Sequence, residues 1–435
     1  MSMKTIVIRN GRVIDPSRKL DQECDVCLAD GQIQEVGRVG RPAEVTIDAE
    51  GLIVAPGLLD IHVHLREPGQ TELESIETGS AAAVAGGFTT VACMPNTEPP
   101  LDDEAAIEYV IRQGARAGLC NVLPVGAITK GRSGKELAEM GRMARAGAVG
   151  FSDDGEGVAS PAVMRRALQY VAMFDRPIMQ HCETPEIANE GVMHGGATAV
   201  RLGLPGLPAI AEELMLQRDI TLTSEAGARY HAQHVSTAGS VELVRRARAK
   251  RLSVTAEVTP HHLLLTDACV ATYDSNYKVK PPLRTAKDIA ACIRGVKDGT
   301  ITALASDHAP HSVAGKELEF QRAPFGIIGL ETALAAYIRA LILPGHIDWP
   351  HLIRLMTLGP AEVLGLTKGT LQVGRDADVT LIDPQRQWTV EASRFKSKAR
   401  NCPWNGEDFV GKAVMTIVGG EVKYCEPEDD GRVGA

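Results

Sequence analysis

The sequence predicts an α/β fold with two parts, a parallel (β/α)8 barrel of the TIM type and a small β-sandwich built from both termini. In the middle of the chain, apolar β-rich runs alternate with helical patterns, which is typical of parallel strands joined by helices. At both ends, short alternating strands are separated by turn dipeptides. We expect residues 1–55 and 367–435 to form the β-domain and residues 56–366 to form the barrel.

Eight β-rich runs support the barrel prediction, one for each strand. They are LLDIHVHL (58–65), TTVACMP (89–95), CNVLPVGAI (120–128), AVGFSDD (148–154), PIMQHCE (177–183), RYHAQHVS (229–236), SVTAEVTP (253–260) and ITALASDHAP (301–310). Helical patterns such as SPAVMRRALQYVAMF lie between them. An open doubly wound sheet is the alternative arrangement, but the sequence has neither a GxGxxG motif after a strand nor a GxxxxGK[ST] motif to favour it.

The β-domain prediction depends on strand-like segments at both ends of the chain. KTIVIRNGRVID and QECDVCLADGQIQEVG near the start contain NG and DG turn dipeptides. GTLQVGRDADVTLIDP and AVMTIVGGEVKY near the end repeat the same alternation of apolar and polar residues. We therefore expect strands from the two ends to pair in one domain.

Composition and charge argue against several classes of protein. The chain is 44% apolar and 23% charged, as in ordinary globular proteins. Its formal net charge of −9 argues against binding to nucleic acid or to an anionic membrane. The N-terminal segment lacks the apolar core of a signal peptide, and no run reaches the roughly 18 apolar residues of a membrane span. We therefore expect a cytoplasmic protein. The net charge does not exclude an anionic small-molecule substrate, because a local metal or arginine can override the overall field.

Residues of the types that bind metals stand at the carboxyl ends of five of the eight runs. They are His62 and His64 in the first, Asp153 and Asp154 in the fourth, His181 in the fifth, His234 in the sixth and Asp307 in the eighth. Barrels of this kind carry their chemistry on that face. Each residue alone is explained as well by a hydrogen-bonded core position or a turn. Together they favour one binuclear metal cluster, because imidazoles and carboxylates hold zinc and related metals.

Longer motifs resemble the amidohydrolase superfamily. They are PGLLDIHVHLREPG, GGFTTVACMPNTEPP, FSDDG, HCE, HVST, VTAEVTPHHLLLT, KPPLR and SDHAPH followed by APFGIIGLET. The combination of VTAEVTPHHLLLT with MPNT and PPLR is narrower, and it is similar to the type I, aspartate-bridged dihydroorotases. The resemblance extends over nearly the whole chain, including the terminal β-domain.

The resemblance implies a centre of two Zn²⁺ ions bridged by Asp154 and a water or hydroxide. The implied ligands are His62, His64 and Asp307 for one ion, His181 and His234 for the other, and Asp154 for both. Asp154 is preferred to Asp153 because the second aspartate of the family's DDG motif bridges the metals. Asp307 would also act as the catalytic general acid and base.

The activity that the resemblance implies is the reversible cyclisation of N-carbamoyl-L-aspartate to L-dihydroorotate in pyrimidine biosynthesis. The shared hydroxide would attack the cyclic amide. The implied substrate contacts are His64, Arg66, Asn96, Lys280, His311, Phe325 and Gly326. The planar guanidinium of Arg66, two residues past His64 on the same strand face, would suit the substrate carboxylate.

Lys280 is a departure from the family's pattern, which usually has asparagine before PPLR. We expect Lys280 to contact the substrate as a point charge rather than as an amide.

The polar segment 312–323 is expected to form a flap at the barrel mouth.

Two alternative functions share much of this pattern. Hydantoinases and allantoinases have the HxH motif but use a carbamylated lysine as the bridging ligand, and AVGFSDDGEG at the fourth strand contains no lysine. Some related chains are non-catalytic scaffolds for aspartate transcarbamoylase, but this chain retains all six implied ligands. The expected partners beyond the substrate are a second copy of the chain, in a homodimer, and possible association with the transcarbamoylase.

Overall fold

A computed structural model of the chain describes residues 5–434. Its strands are β1 (Ile6–Asp15), β2 (Leu20–Ala29), β3 (Gln32–Gly37), β4 (Val45–Asp48), β5 (Ile53–Pro56), β6 (Leu58–Val63), β7 (Phe88–Cys93), β8 (Asn121–Pro124), β9 (Pro177–Gln180), β10 (Met193–His194), β11 (Gly206–Leu207), β12 (Arg229–Ala232), β13 (Val254–Val258), β14 (Ala303–Leu304), β15 (Val379–Thr389), β16 (Asp408–Val418), β17 (Glu421–Cys425) and β18 (Val433–Gly434).

The α-helices are α1 (Ile76–Ala85), α2 (Glu104–Ala117), α3 (Met140–Ala146), α4 (Pro161–Val171), α5 (Pro185–Ala188), α6 (Ala197–Leu202), α7 (Ile210–Ala226), α8 (Ala238–Ala249), α9 (His261–Leu264), α10 (Ala286–Lys297), α11 (Val313–Lys316), α12 (Ala333–Tyr337), α13 (Trp349–Met356) and α14 (Leu358–Leu364). A π-helical segment, Ile338–Ile342, continues α12. Short 3-10 turns cover Pro16–Arg18, Lys130–Arg132, Ala172–Phe174, Asp267–Thr272, Ser275–Tyr277, Ala392–Arg394 and Pro427–Arg432.

The middle of the chain forms the predicted parallel barrel. One arc consists of β6, β7 and β8, and the other of β9, β12, β13 and β14, with every pairing parallel. Parallel bridges from Phe151 to Gly126 and to Ile178 join the arcs on one side. A parallel bridge between Val63 and His308 closes the ring on the other side. The fourth predicted strand is therefore present only as the bridging residue Phe151, and the eighth is shorter than its apolar run.

Burial on both faces explains why the barrel strands appear as near-continuous apolar runs. All six residues of β6 and all six of β7 are buried, and so are the four of β9. Strands covered by helices on the outside and packed side chains on the inside need apolar residues in both directions. Polar residues within these strands are the exceptions, and one of them, His62, belongs to the site described below.

Local sequence signals position the covering helices. For α2, the Asp103 side chain accepts a hydrogen bond from the backbone N–H of Ala106 at the N-terminus. The helix ends at Gly118, whose φ of 62° lies in the left-handed region that glycine adopts without strain. Ile107 and Val110 form its buried face, which packs toward β8.

Both termini contribute to one mixed sheet, as predicted. Within residues 5–434 this sheet has nine strands, in which β5 pairs with β1 and with β15. The β18 strand at the far end of the chain pairs with β4 near its start. Apolar side chains from both ends, such as Ile8, Val54, Val379 and Ile417, share one core. The small β-domain therefore depends on strands that are more than 300 residues apart in the sequence.

No helix within residues 5–434 is long and apolar enough to cross a membrane.

Candidate active site

The predicted metal-binding side chains converge at the carboxyl ends of the barrel strands. His62 lies within β6 and His64 follows it. Asp154 follows the Phe151 bridge, His181 follows β9, His234 follows β12 and Asp307 follows β14. All six are buried. Residues separated by up to 245 positions thus share one pocket because parallel strands end on the same face.

The first group of side chains surrounds one edge of the Asp154 carboxylate. His62 Nε2 lies 3.4 Å from Asp154 Oδ1, and His64 Nε2 lies 3.5 Å from Asp154 Oδ2. Asp307 Oδ1 lies 3.0 Å from His64 Nε2 and 3.6 Å from His62 Nε2. Two imidazole nitrogens and two carboxylates therefore face a common point.

The second group consists of two histidines near Oδ1 of Asp154. His181 Nδ1 and His234 Nε2 are 2.9 Å apart, and they lie 3.8 Å and 3.7 Å from Asp154 Oδ1. Asp154 is thus shared between two pairs of histidines. Among the described residues, these two groups are the ones whose donor atoms lie close enough together to hold a metal ion.

The hydrogen bonding of these atoms fits metal binding. Buried polar atoms are nearly always hydrogen-bonded in proteins. His62 Nε2 and Asp154 Oδ1 are both buried, and neither has a hydrogen-bond partner in the described part of the chain. The two atoms lie 3.4 Å apart. Histidine nitrogens with carboxylate oxygens form a donor set typical of zinc and similar metals, so the cluster is a candidate metal centre.

Charges within the cluster outweigh the effect of burial on its carboxylates. Burial raises the pKa of Asp154 and Asp307, but His62 and the neighbouring imidazoles hold the pKa of both carboxyl groups below its ordinary range. Burial lowers the pKa of His62, whereas Asp154 and Glu257 raise it well above the ordinary value. The pocket therefore concentrates negative charge that suits a cation.

Three residues of the pocket have positive φ angles that side chains other than glycine rarely adopt. Arg66 has φ of 59°, His234 has 31° and Asp307 has 49°. Such conformations cost about 1–3 kcal/mol each and cluster at functional sites. All three lie just beyond strand ends, where the chain turns sharply so that the side chain enters the pocket.

Asp153 does not share the metal-facing position of its neighbour. Its carboxylate accepts backbone N–H bonds from Ile128 at 2.9 Å and Thr129 at 3.0 Å, and a further bond from the Thr129 hydroxyl. Asp153 therefore fixes the loop after β8, while Asp154 faces the histidines.

Arg66 reaches the pocket in a different way from the one expected. The strand ends at Val63, so Arg66 is not on the strand face of His64 but in the turn that follows. Its side chain is 8% exposed, with Nε donating to Pro310 O at 3.2 Å. His311 Nε2 lies 3.4 Å from Arg66 Nη2, and Asn96 Oδ1 lies 2.8 Å from His64 Nδ1. These polar side chains line one wall of the pocket.

The Phe325–Gly326 backbone lies beside this wall and is already hydrogen-bonded within the chain. The Phe325 carbonyl accepts from His311 Nε2 at 2.7 Å, and Gly326 N–H donates to Lys278 O at 2.9 Å. The segment before it, residues 312–323, is folded rather than extended, because it includes α11. Lys316 Nζ donates to the carbonyls of Pro324 and Gly326, which fixes the segment against the barrel.

Lys280 forms an ion pair at the edge of the second group. Its Nζ lies 2.9 Å from Glu183 Oε1, while Glu183 Oε2 lies 3.8 Å from His181 Nε2. Burial raises the pKa of Glu183, but His181 and Lys280 outweigh it and lower that pKa to about 2. Lys280 Nζ also lies 5.8 Å from the centre of the Phe325 ring.

Three residues at the site were not identified from the sequence. Glu257 accepts hydrogen bonds from His62 and His231, Glu183 pairs with Lys280, and Arg132 Nη2 donates to the backbone carbonyl of Asp154 at 2.7 Å. A signal existed for Glu257, which is a charged residue within the apolar run SVTAEVTP, and for Glu183, which ends the run PIMQHCE. Arg132 lies in the 3-10 turn Lys130–Arg132, where a charged residue is unremarkable.

Solved structures of similar fold include hydantoinases and dihydropyrimidinases. L-Hydantoinase (dihydropyrimidinase) from Arthrobacter aurescens matches with a TM-score of 0.87 and 28% identity, over 98% of this chain and 97% of that one. Dihydropyrimidinase from Brevibacillus agri matches with a TM-score of 0.83 over 97% of this chain and 95% of that one. At 22% identity the second match shows the fold alone.

Sequence comparison identifies a narrower group of relatives than comparison of the fold does. The family model described as dihydro-orotase-like matches residues 51–240. The dihydroorotase of Solibacter usitatus is 49% identical over 420 residues, which cover 96% of this chain and 98% of that protein. The dihydroorotase of Pelotomaculum thermopropionicum is 50% identical over 418 residues, again covering 96% and 98%. Similarity of this extent shows that the chain belongs to the dihydroorotase family.

Proposed function

We propose that the protein is a dihydroorotase, which interconverts N-carbamoyl-L-aspartate and L-dihydroorotate in de novo pyrimidine biosynthesis. The observation that carries this proposal is the position of Asp154 between two pairs of histidines, with Asp307 beside the first pair. It supports the aspartate-bridged centre that the resemblance implies, and AVGFSDDGEG contains no lysine that could bridge the metals instead.

Two Zn²⁺ ions are the proposed cofactors. His62, His64 and Asp307 would hold one ion, His181 and His234 the other, and Asp154 both. When bound, such ions lower the pKa of a water towards about 7 and polarise an amide carbonyl. The unpartnered His62 Nε2 and Asp154 Oδ1 support this assignment.

Asp307 is the proposed general acid and base. Its side chain keeps 10% of its exposure, whereas that of His62 keeps none, so Asp307 is the more accessible of the two to a substrate in the pocket. In ring opening, Asp307 would take a proton from the attacking water and deliver it to the leaving amide nitrogen. In ring closure, the same carboxylate would move the proton in the opposite direction.

The polar wall of the pocket is the proposed substrate site. The Arg66 guanidinium is matched to a carboxylate, and Asn96, His311 and His64 lie close enough to share the ligand. Lys280 would add a positive charge near the Phe325 ring. The Phe325 carbonyl accepts one bond from His311 and retains a second lone pair for the ring amide, next to Gly326.

The remaining assignments stay predictions from the sequence. They are the division into a catalytic unit of residues 56–366 and a β-domain of residues 1–55 and 367–435, the homodimer, the association with aspartate transcarbamoylase, and the cytoplasmic location. The pairing of β15 with β5 and of β18 with β4 supports a β-domain that includes both termini.

A substrate panel tests the proposed function. Purified zinc-loaded protein is assayed on dihydroorotate, hydantoin and allantoin under the same conditions, with initial rates compared. We expect dihydroorotate to be hydrolysed fastest. Faster hydrolysis of hydantoin or allantoin would overturn the substrate assignment, and a folded, zinc-loaded protein without activity would support the scaffold alternative.

A further inference from the structure

Glu257 lies behind the metal centre, on the side of His62 that faces away from Asp154. His62 Nδ1 is 2.6 Å from Glu257 Oε1, while His62 Nε2 faces Asp154. Both side chains are fully buried. A carboxylate can only accept in this contact, so it fixes the proton of His62 on Nδ1 and leaves the Nε2 lone pair for a metal.

The same carboxylate also contacts the second group of ligands. The backbone N–H of His234 donates to Glu257 Oε1 at 3.2 Å. His234 has a φ of 31°, which is a strained conformation for a residue other than glycine. The bond from Glu257 therefore stabilises the turn that directs His234 towards Asp154.

His231 holds Glu257 in place. Its Nε2 lies 2.9 Å from Glu257 Oε2, and its Nδ1 lies 2.8 Å from the Thr255 hydroxyl. The resulting chain leads from Thr255 through His231 and Glu257 to His62. Each link is a hydrogen bond between buried or partly buried groups, so little rotation of the Glu257 carboxylate is possible.

We propose that Glu257 is a positioning residue that fixes one ligand of each metal position, His62 through its side chain and His234 through its backbone. The proposal rests on the proposed metal centre. It predicts that loss of Glu257 weakens metal binding although Glu257 itself does not touch the metals. Outer partners of this kind typically contribute about 10–100-fold to metal affinity.

Glutamine and alanine at this position are expected to differ. The oxygen of a glutamine can still accept from His62, and His231 can adopt its other tautomer to accept from the amide group. The bond from His62 is weaker in this variant, because the amide is neutral and the bond loses its charge assistance. Alanine removes both bonds and leaves the His62 and His231 nitrogens without their partner. Asp219→Asn is a matched control, because Asp219 is a buried carboxylate that binds Arg218 and Tyr230 but no proposed ligand.

The test is a zinc titration in competition with a chelator of known affinity. Metal-free parent, Glu257→Gln, Glu257→Ala and Asp219→Asn proteins are compared, and the Tm of each metal-free protein is measured. We expect the zinc Kd to rise about 10-fold in Glu257→Gln and about 100-fold in Glu257→Ala, with no change in Asp219→Asn. If Glu257→Ala does not fold, the glutamine variant decides the question.

The proposal is overturned if folded Glu257→Gln binds zinc as tightly as the parent. It is also overturned if Asp219→Asn loses as much zinc affinity as Glu257→Gln does. Because the titration uses no substrate, its result is independent of which cyclic amide the protein hydrolyses. If the substrate panel contradicts the proposed substrate, the zinc affinities of the Glu257 variants are still valid. If the Glu257 variants bind zinc like the parent, the result of the substrate panel is still valid.

Discussion

Asp307 is buried and yet ionised, although burial normally disfavours a charged side chain. It is buried, yet the imidazoles of His62 and His64 keep its pKa below the usual range, so it remains ionised in the protein without bound metal. Its backbone has a φ of 49°, which directs the carboxylate towards His64. The carboxylate is therefore ionised and held in a fixed orientation beside His64.

Asp307→Asn tests the role of this carboxylate. Asparagine keeps the size of the side chain but cannot act as a base, so we expect kcat for dihydroorotate to fall by about 10²–10⁴-fold. The zinc content is measured in parallel, because Asp307 is also a proposed ligand. An asparagine variant that retains zinc and the parent's kcat would show that the proton is transferred elsewhere.

The position of Lys280 is defined by its ion pair with Glu183. If Lys280 also contacts the substrate, Lys280→Asn exchanges a charged contact for a neutral one. We expect KM for dihydroorotate to rise about 10-fold, in line with the ~1.5–3 kcal/mol of a charged hydrogen bond.

Glu183→Gln is the companion variant for this prediction. It removes the ion pair but keeps the lysine, so it separates loss of the substrate contact from loss of the pair. Unchanged KM and kcat in Lys280→Asn would show that Lys280 serves Glu183 alone.

At the level of single elements, the segment after His311 is held by two buried lysines rather than by apolar packing alone. Lys278 Nζ donates to the carbonyls of Gln321 and Ala323, and Lys316 Nζ donates to those of Pro324 and Gly326. The sequence predicted a polar flap over residues 312–323 but gave no sign of these contacts. The reason is that a lysine in a polar loop is normally exposed.

The pH dependence of stability tests this arrangement. Burial, together with the charge of Lys278, lowers the pKa of Lys316 from 10.5 to about 7. Between these two pH values the unfolded chain binds more protons than the folded chain, so the contribution of Lys316 to the free energy of unfolding rises with pH. Below about pH 7 both states are protonated, and the cost of the buried charge is present in full.

Lys316→Met removes this titration. We compare the free energy of unfolding of the variant and the parent, measured with urea at pH 7 and at pH 9.5. The difference, variant minus parent, should be larger at pH 7 than at pH 9.5. The exposed Lys135→Met serves as the control for loss of a lysine. A stability difference between Lys316→Met and the parent that is the same at both pH values would contradict the assignment.

Element boundaries were less predictable than element types. The run LLDIHVHL indicated a strand to residue 65, but β6 ends at Val63, because the chain turns at Arg66 to direct that side chain into the pocket. The run AVGFSDD forms only a bridge at Phe151. In both places the sequence remains apolar and strand-like, and the departure comes from the site itself, where local preference is overridden.

For the whole molecule, the barrel and the β-domain were predictable because hydrophobic periodicity is a local property. The convergence of the six proposed ligands was also predictable, since they stand at the ends of five runs and parallel strands end on one face. Glu257 behind His62 and Glu183 beside Lys280 were not, because these contacts join residues that are distant in sequence and carry no periodic signal. The arrangement around the metals thus emerges only from the closed barrel.

The most direct test of the proposed function is a zinc titration of the metal-free protein followed by turnover of dihydroorotate. We expect almost no activity without metal, and an increase that reaches its maximum at two zinc ions per chain. Full activity after verified removal of the metal, or saturation with zinc without any turnover of dihydroorotate, would contradict an aspartate-bridged zinc dihydroorotase.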